Sequence, residues 1–166
     1  MTNYPNWYAG QRVTAALLAA GQPQRIECSG SVSITSNTLA DIAGMSFTAD
    51  ANAIYDIRLV ASYDAPAATD IVMAWTGPAG STMSRSIVAP ALAMTTNQDT
   101  TVTMIRRSMG TAQQAGGMGT GNFLVWLEFI TLTTTTSGAV QLQFARVAAG
   151  TTVFNAGSYM IVQRVG

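Results

Sequence analysis

The sequence predicts an all-β protein: an antiparallel β-sandwich or jelly-roll barrel of about eight to ten strands with one short N-terminal helix. Three observations predict it. Short runs of alternating or continuous apolar residues follow one another from Gln24 to the end of the chain. Clusters of Gly, Pro, Asp, Asn and Ser separate them. No helical stretch is long enough to serve as a βαβ crossover. At 166 residues the chain suffices for one domain with a sizeable core, and jelly-roll topology is favoured at that length.

Residues 1–22 read as an N-terminal anchoring segment and 23–166 as the sandwich domain. In the first, Thr14 can cap a short helix, Ala15 to Ala20 favour it, and Gly21 followed by Pro23 stops it. "QRIEC" (24–28), "SVSIT" (31–35) and "GMSFTA" (44–49) are short strands. "AIYDIRLVASY" (53–63) is the clearest one: Tyr55, Ile57, Leu59, Ala61 and Tyr63 share a face. Asp56 and Arg58 lie on its other face and could pair. "DIVMAW" (70–75) ends at the turn "GPAG" (77–80); "STMSRSIVA" (81–89) and "TTVTMIRR" (100–107) follow as strands. "GTAQQAGGMGTG" (110–121) reads as a flexible, glycine-rich loop. The last strands are "NFLVWLEFITLTTTT" (122–136), "AVQLQFARV" (139–147) and "SYMIVQRV" (158–165). In the second of these, Val140, Leu142 and Phe144 share a face opposite Gln141 and Gln143.

Composition narrows the function. The chain is 48% hydrophobic but only 10% charged, about half the usual charged share or less. Eight basic residues, all arginine, balance eight acidic ones, which gives no electrostatic reason to expect nucleic acid as a partner. There is no histidine, hence neither the commonest general base nor the commonest metal ligand. The single Cys28 excludes an intrachain disulfide and a multi-cysteine zinc site, and reads as a small apolar residue. The N-terminus lacks the pattern of a signal peptide, and no window has the roughly 18–20 apolar residues of a membrane helix. The chain therefore reads as complete, made in the cytoplasm and not inserted in a membrane.

Candidate chemistry is sparse. Glu128, alone in an apolar run, could act as a general acid, but a glycosidase-type mechanism needs a second carboxylate, and none shares a motif with it. Asp50, Asp56, Asp64 and Asp70 match no EF-hand spacing. "GGMGTGN" (116–122) precedes a strand, whereas a dinucleotide fingerprint opens a helix. The expectation is no enzyme, no cofactor and no metal.

Three stretches, taken in order, resemble small β-sandwich virion structural proteins of tailed actinobacteriophages, of the capsid decoration, minor tail or fibre-tip type. "NWYAGQRVTAALL" (6–18) is similar to a Trp-x-x-Gly-x-x-(Val/Leu)-Thr-Ala-x-x-Leu opening, with Trp7, Gly10, Val13, Thr14, Ala15 and Leu18 in place. "MSFTADANAIYDIRLVASYDAPAATDIVMAWTGPAGST" (45–82) is similar to a strand, Ala-Asn turn, Tyr-bearing strand and Gly-Pro-x-Gly turn in succession. "NAGSYMIVQRVG" (155–166) resembles their final strand. The match covers roughly half the chain. It implies a virion location, a homotrimer by analogy, other virion proteins (capsid or tail) as partners, and no catalytic residues to carry over.

Assembly residues are expected in two places. The aromatic N-terminus (Tyr4, Trp7, Tyr8) with Leu17 and Leu18 suits attachment to the particle. In the run 122–136, Phe123, Val125, Leu127 and Phe129 share one face and Leu124, Trp126, Glu128, Ile130 and Leu132 the other. The expectation is that Leu124, Trp126 and Ile130 meet another subunit, with Glu128 turning to water or to an arginine. The alternative function is a receptor- or glycan-binding tip, with Trp75, Met83 and Met118 as ligand-loop residues.

Overall fold

The computed structural model describes residues 9–12, 14, 21–67, 69–92, 101–119 and 121–166. The expected helix over Ala15–Ala20 and the expected anchors Tyr4, Trp7, Tyr8, Leu17 and Leu18 lie outside the described residues. Among those residues there are twelve strands and no helix: β1 (Gln24–Glu27), β2 (Val32–Ile34), β3 (Ala40–Ala49), β4 (Ile54–Asp64), β5 (Ile71–Thr76), β6 (Thr82–Pro90), β7 (Val102–Ser108), β8 (Gln113–Ala115), β9 (Leu124–Thr133), β10 (Gly138–Arg146), β11 (Thr152–Phe154) and β12 (Tyr159–Arg164).

They form two antiparallel sheets. The large one runs β1-β12-β4-β9-β6-β7, with β11 bridging β4 and β2 at its side; the small one runs β3-β10-β5-β8. The pairing is nested: β1 with β12, β3 with β10, β4 with β9, and β5 with β8. β2 and β11 add a further nested pair within the large sheet, and from β3–β10 inward successive pairs alternate between the sheets, as in one long hairpin rolled up on itself. The pair β6 and β7, lying in sequence between β5 and β8, joins β9 and widens the large sheet.

Alternation in the strands sets what each sheet buries. In β4, Tyr55, Ile57, Leu59, Ala61 and Tyr63 all point inward, as the pattern predicts. Val140, Leu142 and Phe144 of β10 meet them from the small sheet, with Gln141 and Gln143 outward. A register shift between Gln141 and Gln143 leaves Ile42–Met45 of β3 bulged. The Gln141 amide donates to the bulge carbonyls of Ile42 and Met45 at 3.0 and 3.3 Å, which keeps them satisfied. Cys28 is buried; its thiol donates to the Gly30 carbonyl, and burial raises its pKa.

The threonine tail of β9 corrects the expected strand end. The strand stops at Thr133, and the hydroxyls beyond it hold neighbouring turns. Thr134 donates to the Asp50 carbonyl at 2.6 Å and accepts from Ala53 N, while Thr136 donates to Ala79 O at 2.8 Å. The turn before β4 uses Asn52 at φ 53°, a conformation asparagine tolerates better than most residues.

The 110–121 stretch is more ordered than its composition suggests. It contains β8 and is docked by Tyr63, whose buried hydroxyl donates to Gly116 O at 2.7 Å. Burial, reinforced by the nearby Asp70 charge, drives the Tyr63 phenol far above its ordinary range. Unfolded tyrosine ionises near pH 10, whereas the folded protein keeps this proton. The unfolded state then binds fewer protons, so stability is intact below about pH 10 and falls above it, by up to about 1.4 kcal/mol per pH unit. Urea titrations from pH 9 to 11 should show that slope reduced in Tyr63→Phe; an equal slope in both proteins would refute the assignment.

Candidate functional site

Two features of the large sheet stand out, one on each face. Inside, Glu128 of β9 and Arg85 of β6 form an ion pair with both side chains fully buried. Arg85 reaches it as a fork: Nε donates to Oε2 at 2.9 Å and Nη2 to Oε1 at 2.7 Å. Each carboxylate oxygen takes a second donor from an indole, Trp75 Nε1 to Oε2 at 3.0 Å and Trp126 Nε1 to Oε1 at 2.8 Å. The remaining Arg85 Nη1 donates to the Thr111 carbonyl at 2.8 Å. Trp75 comes from the small sheet, so the cluster ties the two layers together. With four donors on its two oxygens and no solvent contact, Glu128 is placed as a core strut and has no free lone pair turned to an open cleft.

Leu124, Trp126 and Ile130 belong to this same inward face, which corrects the expectation that they turn toward another subunit. They are 7%, 0% and 4% exposed and pack in the chain's own core. The ligand-loop reading is corrected likewise for Trp75 and Met83. Trp75 and Met83 are core residues on β5 and β6, and Met118 is half-buried against the core. Of the aspartates, Asp64 and Asp70 accept from Gly121 N and Gly117 N, and Asp50 pairs with Arg164 at 2.8 Å. Among the described residues, no three Asp, Glu or Cys side chains gather in a way that could hold a metal ion.

The outer face of the large sheet is the second feature. Register puts Val60, Leu127, Val88 and Met104 in one row across β4, β9, β6 and β7. Val125 and Val102 extend the row toward one end of the sheet, and Phe123 lies just beyond. Phe123 is 71% exposed, Val125 51%, Val102 55% and Met104 76%. Toward the other end the face becomes polar. There a groove of about 640 Å³ crosses from Pro23, beside β1, to Arg106 on β7. Its middle row is Arg58, Phe129, Ser86 and Arg106, with Asp56, Thr131 and Ser84 in the next. The outer face of the small sheet differs: Gln141, Gln143 and Asp41 stand there, and Gln143 donates to Asp41 at 2.7 Å.

No protein-family model and no curated protein matches the chain. Solved structures to which it is similar include a mutant VP2 protein of infectious bursal disease virus in derived T=1 particles (12% identity, TM-score 0.18) and the Gx strain of that virus (10% identity, TM-score 0.19). The matches cover 87% of this chain and 39% of each of those chains, so it spans about two-fifths of their length. At such TM-scores the likeness defines no common fold.

Asp56 and Arg58, which could pair by their spacing, are joined by no ion pair among the described residues. Arg106 and Arg107 do point to opposite sides of β7. Arg106 Nε donates to Ser84 on the outer face, and Arg107 donates to Gln113. The residues that sequence reasoning missed are Arg85 and the exposed row through Met104. Arg85 carried a signal, since it shares the inward parity of Met83 and Ile87 in β6.

Proposed function

We propose that this chain is a non-enzymatic structural subunit of a virus particle, which assembles as a homo-oligomer through the apolar half of the outer face of its large sheet. The carrying observation is the asymmetry between its two outer faces. The small sheet turns glutamine and aspartate to solvent; the large sheet turns out Phe123, Val125, Val102 and Met104, each more than half exposed, in a chain with few charges to offset them. An antiparallel sheet normally buries one face and solvates the other, so an apolar second face calls for a second layer. Another copy supplies it in this reading, and a homotrimer suits it by analogy with the actinobacteriophage proteins that the sequence resembles.

The nested strand pairing supports reading the sandwich as a jelly roll, an architecture used in capsids and also in lectins. Fold alone assigns no function. Support for a virion location comes from the three motif stretches, 6–18, 45–82 and 155–166. Capsid decoration and tail appendage are both compatible with them, with the N-terminal segment as the attachment to capsid or tail proteins. The experiment is mass spectrometry of purified particles. The chain should be a stoichiometric component, and a folded Val125→Asp/Met104→Asp variant should be missing from them. A wild-type chain absent from particles, or a variant incorporated at the wild-type level, would contradict the reading.

A further inference from the structure

We propose that the polar groove on the outer face of the large sheet binds a short acidic carbohydrate, with Arg58 and Arg106 on its carboxylates and Phe129 beneath a sugar ring. This goes beyond the assembly reading and uses the opposite end of the face.

Charge is concentrated here. Three of the twelve groove residues are charged (Asp56, Arg58, Arg106), against 10% of the chain. The two cations are also uncompensated. Arg25 has Glu27 at 3.0 Å and lies over the Tyr159 ring, Arg85 has Glu128, and Arg164 has Asp50. Arg58 makes no hydrogen bond or ion pair among the described residues. Arg106 is held at Nε by Ser84, which orients its guanidinium and leaves both Nη groups without a carboxylate. Two cations without an ion pair, Arg106 oriented by Ser84 and Arg58 free to reach, suit an anionic ligand.

The floor selects the kind of anion. Phe129 is 55% exposed and stands directly across from Arg58 in the register, an apolar platform in a polar groove. Around it are Ser86, Ser84, Thr131 and Gln163, which can exchange hydrogen bonds with hydroxyls. Asp56 accepts only a long 3.4 Å bond from Thr131 and remains available to a hydroxyl donor. A DNA backbone would set its phosphates against this carboxylate and offer it no hydroxyl donor, whereas a sugar supplies one. An extended peptide is disfavoured by the location. The groove crosses the middle of the sheet, where the ladder occupies the backbone groups, and strand addition needs an edge. Recognition must come from side chains alone, which suits a ligand rich in its own hydroxyls and carboxylates. Five strands, β12 to β7, span about 19 Å at the usual inter-strand spacing, room for a short oligosaccharide.

The test is calorimetric titration with a linear galacturonic acid trimer, with neutral maltotriose and tetraglutamate as comparisons. The acidic sugar should bind saturably and more weakly as salt rises. Arg58→Gln should weaken it at least about tenfold. Phe129→Ala should weaken it roughly three- to tenfold. Both variants should keep the wild-type melting temperature, since both side chains are exposed. Val125→Asp should leave sugar affinity unchanged, so failure of the assembly reading and failure of this one remain distinguishable. No saturable binding of the acidic trimer, equal binding of maltotriose, equal or tighter binding of tetraglutamate, or unchanged affinity in Arg58→Gln would each overturn the proposal.

Discussion

Glu128→Ala is expected to lower the unfolding free energy by about 3–5 kcal/mol, the range for removing one partner of a buried ion pair. The loss should fall at the upper end. Arg85 would be left charged, with no carboxylate and no solvent, and the Trp75 and Trp126 indoles would lose their acceptor. An unsatisfied buried N–H is costly in itself, which is what places the loss at the upper end of that range. Buried ion pairs can often be replaced by apolar residues without loss, but this one carries a further constraint. In Arg85→Met/Glu128→Leu both charges are gone, yet the two indoles and the Thr111 carbonyl lose their partners. The double variant should therefore recover part of the stability, not all of it. Urea unfolding of wild type, both single variants and the double variant, at one protein concentration, measures this cycle. A Glu128→Ala loss below about 1 kcal/mol, or full recovery in the double variant, would show that the cluster does not tie the layers together as described.

Gly117→Ala is expected to destabilise by at least about 3 kcal/mol, more than overpacking usually does. A Cβ there would run into the carbonyl oxygens of Pro66 and Ala65, which are backbone atoms that cannot rotate away. Those same groups organise the loop: Ala65 O accepts from Met118 N and Gly119 N, and Gly117 N donates to Asp70 at 2.9 Å. The effect is steric, because Gly117 does not have a positive φ. Gly121, at φ +85° with open space around its would-be Cβ, is the control. Its alanine variant should lose only about 1–2 kcal/mol, the cost of a left-handed conformation. Comparable losses at the two positions would contradict the packing account of this loop.

Much of the sandwich was legible where one parity of a strand is apolar and the other is not. In β4 and β10 the alternation alone identifies the buried face. It fails in β9 because both parities are apolar, so period two gives no preference between Val125–Phe129 and Trp126–Ile130. Glu128 then misled, since a carboxylate suggests the wet side. The resolving signal lay in another strand: Arg85 stands at an inward position of β6, and two opposite charges on inward parities can satisfy each other. Trp75 and Met83 were misplaced for a related reason. Their closeness to the Gly-Pro-x-Gly turn suggested a loop, although each shares the parity of a core face. The three-residue strands β8 and β11 carry no local pattern to read; their pairing with β5 and with β2 and β4 is decided by tertiary context. The groove of Arg58, Phe129 and Arg106 brings together three strands distant in sequence, and only the register makes them neighbours.

The outer apolar row is the centre of the account, and molar mass in solution tests it most directly. Light scattering on the full chain should give a multiple of its 17.4 kDa mass, three-fold for a trimer, and Val125→Asp/Met104→Asp should give a folded 17.4 kDa monomer. A monomeric wild type, or a variant that keeps the wild-type mass, would contradict assembly through this face.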